Sequence, residues 1–319
     1  MKKASVVIKS VLAYGLKALL LAGLALPHGT AACDVCGGAG AGSSLGVLPR
    51  FGSSFAGVRY QFKGSRSFPH ESAVRNDPGS TERYHTLELA GRAVLHRRLH
   101  LYAFLPVVFH RRLSAIGMQN AQGAGDPSLL LNLIILNGPI RTSSSVRHLL
   151  QGGLGAKAPL GRYDAVQNKV MLNPNLQAGS GSWDGVFHAL YALSGKRLGS
   201  QLEANARLCG ANKLGYRFGH RAVLAGNVFS SVQTASLLLI PLAGLQTEWS
   251  GSDGQRNETV DMTGGWSAQF QAGLQAIKSE WQLGVQGGLP FYTRLSEGHV
   301  KPTPRLSVQL LYYLTKTAD

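Results

Sequence analysis

Hydrophobic and polar residues alternate with a period of two along most of the chain beyond residue 54, as expected of strands whose successive side chains point to opposite faces. In Trp266 to Ile277, one face carries Trp266, Ala268, Phe270, Ala272, Leu274 and Ala276, and the other carries Ser267, Gln269, Gln271, Gly273 and Gln275. The same division separates Trp281, Leu283, Val285 and Leu289 from Gln282, Gly284, Gln286 and Gly288, and Leu202, Ala204, Ala206 and Leu208 from Gln201, Glu203, Asn205 and Arg207. Val58, Tyr60 and Phe62 oppose Arg59, Gln61 and Lys63, while Leu87, Leu89 and Ala93 oppose Thr86, Glu88 and Arg92. Segments 99–110, 128–136, 149–158, 183–193, 218–229, 237–249 and 305–314 bring the expected strands to twelve, with 99–110 and 237–245 apolar on both faces.

The connections carry independent information. Outside the middle of the chain, long gaps (64–83, 111–127, 250–265, 290–304) alternate with short ones (95–98, 230–236, 278–280). Bacterial outer-membrane barrels have short periplasmic turns and long external loops, so the rhythm places both termini in the periplasm. An exported soluble sandwich would also alternate, but its outward face would be rich in Lys, Glu and Thr, whereas this polar face is mostly Gly, Gln, Ser and Asn. Tyr84, Trp183, Trp249, Trp266, Trp281, Tyr312 and Tyr313 fall at segment ends, as interfacial girdles would. The expected fold is an all-β transmembrane antiparallel barrel of about twelve strands over 55–314, with a short tail at 315–319.

Composition narrows the alternatives. Forty glycines, 15% charged residues and a mean hydropathy of +0.01 across 319 residues describe neither an ordinary soluble surface nor a helical membrane protein, which needs apolar runs of about 18 residues. Disorder does not fit 44% hydrophobic residues. Residues 1–32, with Lys2, Lys3 and Lys9 before an apolar stretch and Gly29–Thr30–Ala31–Ala32 after it, have the layout of a signal peptide. Their four lysines account for the fall in net charge from +16 to +12 in the remaining chain. A basic exported barrel suits an anionic lipid and lipopolysaccharide surface or an anion-favouring pore, and no nucleic-acid motif accompanies the charge.

Residues 33–54 form a Cys- and Gly-rich segment expected in the periplasm or at the barrel mouth. Cys33 and Cys36 can form a disulfide, hold a soft metal such as copper, or, at Cys33, carry a lipid anchor. No other cofactor is indicated. Arg59, Lys63, Glu88, Arg92, Lys157, Asp184, His188, Glu203, Arg207, Arg221 and Glu248 all lie on the polar sides of their segments and are the lumen and selectivity candidates. Their mixed signs suggest partly paired ladders. His85, His100, His110, His188 and His220 lie in or beside strands without a Gly-x-Ser-x-Gly elbow, so an enzymatic role is not expected.

The strings Gly123–Leu129, Gly153–Tyr163 and Gly179–Asp184 resemble strand and loop signatures of the outer-membrane transporters grouped with FadL-type channels and the meta-pathway phenol-degradation family. The resemblance runs from about Val47 to Leu314 and implies a barrel that moves small, often hydrophobic or aromatic, molecules. Facilitated diffusion of a small solute is the expected function. The alternative is a metal-handling outer-membrane protein working through Cys33 and Cys36.

Overall fold

The computed structural model describes residues 52–68, 79–115, 117–140, 146–167 and 169–314. Twelve long antiparallel strands among them close into a barrel. In chain order these are β1 Ser54–Ser67, β2 Ser80–His96, β3 Leu99–Ser114, β4 Ser128–Pro139, β5 Arg147–Lys157 and β6 Asp184–Ser194. They continue as β7 Leu198–Cys209, β8 Arg221–Ser230, β9 Leu238–Ser250, β10 Gly265–Lys278, β11 Trp281–Leu295 and β12 Arg305–Leu314. Each strand pairs with its neighbours in sequence, and the barrel closes where β1 meets β12, with Ser54 opposite Leu314 and Phe62 opposite Leu306. Closure matters physically, because an open edge would leave unpaired backbone groups in hydrocarbon.

The connections now alternate without exception. Long ones (68–79, 115–127, 158–183, 210–220, 251–264, 296–304) lie at one end, and short ones (97–98, 140–146, 195–197, 231–237, 279–280) at the other, together with both ends of the barrel chain. Several strands outrun the sequence expectation: β1 and β2 stay paired to Ser67 and Ser80, and β11 extends to Leu295. The apolar alternation stops at the membrane surface, whereas ladder hydrogen bonds can continue into water. Hairpin residues Gly117–Ala124 likewise extend β3 beyond the wall. The segment expected at 218–229 begins as a barrel strand only at Arg221, since Tyr216–Arg217 pairs instead with Gly254–Gln255.

Side-chain direction follows the alternation. Leu87, Leu89, Leu105, Leu131, Leu133, Phe270, Leu274 and Leu283 are exposed on the outer wall, while Gln61, Glu88, Asn132, Gln151, Glu203, Gln271, Gln275 and Gln309 are buried on the inner one. Trp183, Trp266, Trp281 and Tyr312 are exposed girdle residues. Tyr84 and Tyr313 correct that assignment: they are only 4% and 1% exposed and face inward. Parity decides this, because Tyr84 shares a face with Thr86 and Glu88, and Tyr313 with Gln309 and Leu311.

The inner wall is not polar throughout. Toward the short-turn end apolar clusters are interleaved with buried polar groups such as His100, Gln201 and Gln282, with one cluster including Phe55, Tyr102, Phe104, Leu311 and Tyr313, a second of Phe229, Ile240, Leu242 and Ile277, and a third of Ile134, Leu149, Leu190 and Ala192. Phe55 makes edge contacts with Tyr102 and Tyr313 at centroid distances of 6.4 and 6.0 Å. The two-sided apolar character of 99–110 in the sequence comes from this inner cluster, since Tyr102 and Phe104 point inward while Leu101 and Leu105 lie on the opposite face.

Candidate functional site

Polar chemistry occupies the middle and the long-loop half of the inner wall. Arg59 on β1 and Glu88 on β2 are direct cross-strand partners and form a buried ion pair. Arg92 uses its charge differently. Its Nε donates to the Ser53 carbonyl at 2.9 Å, and its guanidinium lies 5.0 Å from the centre of the Phe55 ring and 5.9 Å from that of Tyr102, within cation–π range.

His188 on β6 sits in a polar row that crosses four strands. Asn132 on β4 reaches over Gly153 on β5 to the His188 ring, 3.0 Å from Nδ1, and His188 Nε2 lies 3.6 Å from Glu203 on β7. Glu203 also accepts from Asn205 at 3.0 Å and from Gln201 at 3.3 Å. Gly153 is required here, because a Cβ would stand 1.6 Å from Asn132 Oδ1.

Nearer the long loops, Lys157 on β5 lies between two carboxylates, 2.8 Å from Asp126 and 3.0 Å from Asp184. Asp126 is also the anchor of the 158–183 connection. It accepts from the backbone N–H of Gly161 and of Ser180, both at 2.8 Å, and from the Ser180 hydroxyl at 2.8 Å, so it holds both limbs of that loop. The far part of the loop packs Leu172 and Leu176 against Ala121, and His110 Nδ1 lies 3.2 Å from the Leu176 carbonyl. Arg207 and Arg221 are cross-strand neighbours on β7 and β8, and with Lys157, Asp126, Asp184 and Cys209 they line a chamber of about 50 Å³ beneath this loop.

Glu248 on β9 receives both guanidinium nitrogens of Arg305 on β12, at 2.9 Å for the Nη2–Oε2 contact. This bidentate bridge passes over the inner faces of β10 and β11. Around it runs a set of carboxamides: Gln271 donates to Asn227 at 2.7 Å, Gln286 to Gln271 at 2.9 Å, and Gln246 to Glu248 at 2.7 Å.

The inner wall therefore combines polar and packed apolar regions behind an apolar outer face, and several of its charges, such as Arg59, Glu88, Lys157 and Glu248, are set against opposite charges. Among solved structures, the COG4313 outer membrane channel from Pseudomonas putida F1 superposes with a TM-score of 0.60 at 19% identity, covering 84% of this chain and 97% of that one. The fold is that of an outer-membrane β-barrel. The beta domain of the Bordetella autotransporter Brka gives a TM-score of 0.48 at 8% identity, covering 82% of this chain and 100% of that one. No protein-family model and no curated protein matches the chain.

Of the sequence candidates, the barrel brings Arg59 to Glu88, Lys157 to Asp184 and His188 to Glu203, places Arg207 beside Arg221 and Lys63 near Glu248, and sets Arg92 against aromatic rings. Cys33 and Cys36 lie outside the described residues, as do residues 1–51 as a whole. Among the described residues, no group of three or more His, Cys, Asp or Glu side chains is arranged to hold a metal ion. Asp126 and Arg305 were missed from sequence. Asp126 lies in a loop ahead of β4, where strand alternation has no bearing, and Arg305 is the first residue of its strand, where the polar face is not yet established.

Proposed function

We propose that the barrel is a channel through which a small solute crosses the outer membrane by facilitated diffusion. The observation that carries this reading is the composition of the inner wall. The partly accessible Glu248–Arg305 pair and the linked carboxamides around it provide hydrogen-bonding groups inside an apolar sheath, while the buried Arg59–Glu88 and Lys157–Asp126 pairs brace the wall behind them. Such a wall can exchange hydrogen bonds with a passing solute without holding it tightly, since conduction needs binding weak enough to release. The hydrophobic or aromatic class of the solute follows only from the FadL-type resemblance, since the inward aromatics Phe55, Tyr102, Phe104 and Tyr313 are packed against one another.

Reconstitution of the protein in planar bilayers, with single-channel recording at low salt, tests the proposal. Discrete conductance steps are expected. A folded barrel that shows no conductance, and that leaves small solutes excluded from proteoliposomes, would refute it.

A further inference from the structure

A cavity of about 60 Å³ opens in the inner wall of the long-loop half, bounded by Lys63, Glu248, Gln269, Gln271, Gln286 and Arg305. Two features create it. The Arg305–Glu248 bridge stands off the wall, crossing from β12 to β9. Beneath it, β11 presents Gly288 inward, where a Cβ would lie 2.9 Å from Gln269 Oε1.

The lining is chemically unbalanced. Lys63 and Arg305 share the single carboxylate of Glu248, so the three groups carry one net positive charge, and the Lys63 ammonium makes no direct hydrogen bond or contact ion pair among the described residues. Gln269 is 8% exposed, and its Oε1 is buried without a hydrogen-bond partner. A cation only partly compensated by a shared carboxylate and an unused acceptor in one small cavity are costly unless something pairs with them. At about 30 Å³ per water, the volume equals roughly two waters, which suits the end of a small organic molecule rather than a whole one.

The geometry points to a binding subsite for the carboxylate end of a small 2-hydroxy acid, with the carboxylate on Lys63 and the 2-hydroxyl donating to Gln269 Oε1. The remainder of the solute extends into the lumen between the carboxamides. This assignment rests on the channel proposal for the route by which the solute arrives.

The test is calorimetric titration of the detergent-folded barrel with sodium lactate, propionate, which lacks the hydroxyl, and lactamide, which lacks the charge. Lactate is expected to bind about fivefold more tightly than propionate, the worth of one neutral hydrogen bond, and about tenfold or more above lactamide, which loses the charged contact to Lys63. Lys63→Gln should lower lactate affinity about tenfold and leave lactamide unchanged, while Lys63→Arg keeps most of it. Gln269→Ala should bring lactate down to the propionate value without altering propionate. Equal binding of the three probes, displacement of lactate by equimolar chloride, or no lactate binding to the folded barrel would each overturn the assignment. Bilayer recordings of the same preparation separate the two proposals: lactate binding without conductance refutes the channel alone, and conductance without lactate binding refutes the subsite alone.

Discussion

Replacing Asp126 by alanine removes the carboxylate on which the 158–183 connection is folded. The side chain is 6% exposed and accepts two backbone N–H groups, one hydroxyl and the Lys157 ammonium, all at 2.8 Å. Breaking a buried ion pair by deleting one partner costs about 3–5 kcal/mol. Lys157 keeps Asp184 at 3.0 Å, so the lower end applies, about 3 kcal/mol. None of this energy belongs to the barrel ladder, whose β4–β5 and β5–β6 registers do not involve the Asp126 side chain. The loss should therefore appear as local opening of the loop, raising its open population by about two powers of ten. Arg162 and Lys169 are exposed within that loop, so limited trypsin digestion of the folded protein reports the opening directly. Asp126→Ala is expected to be cut at one of these sites about a hundredfold faster, with the far-ultraviolet spectrum of the barrel unchanged. Asp126→Asn, which keeps an acceptor oxygen, should fall between. Cutting of Asp126→Ala at the wild-type rate would refute the assignment of Asp126 as the loop anchor.

Other substitutions test the wall itself. Arg59→Met should destabilise the barrel by about 3–5 kcal/mol in urea titrations by leaving Glu88 buried and charged, and Arg59→Met/Glu88→Leu should recover most of the loss. Leu89→Arg places a cation on the lipid face near the middle of β2 and should cost about 2–4 kcal/mol of folding free energy in bilayers, against about 0–1 kcal/mol for Leu198→Arg at the short-turn rim. Gly153→Ala should expel Asn132 from His188 and cost about 1–3 kcal/mol, measurable by the same titration. Glu248→Gln weakens the bridge to Arg305 and should shift the single-channel reversal potential toward anion preference, whereas an unchanged potential would place the bridge off the conduction path.

The alternation of side chains by itself determined the number of strands and the face most of their residues take, because a strand in a closed barrel separates two environments and every second position must suit one of them. Arg59, Glu88, Glu203 and Gln271 could be assigned to the inner wall on that ground alone. Strand ends were less well marked at β1, β2 and β11, since the alternation fades at the membrane surface while backbone pairing continues. What only the tertiary structure decided is who meets whom across the lumen. Arg305 and Glu248 are 57 residues apart and three strands removed, and Asp126 meets Lys157 and Ser180 through a loop with no periodicity to read. The inward aromatics at the short-turn end were hidden for a related reason. Parity says which side a residue faces, but whether that side is water or packed side chains depends on how twelve strands curve toward one another.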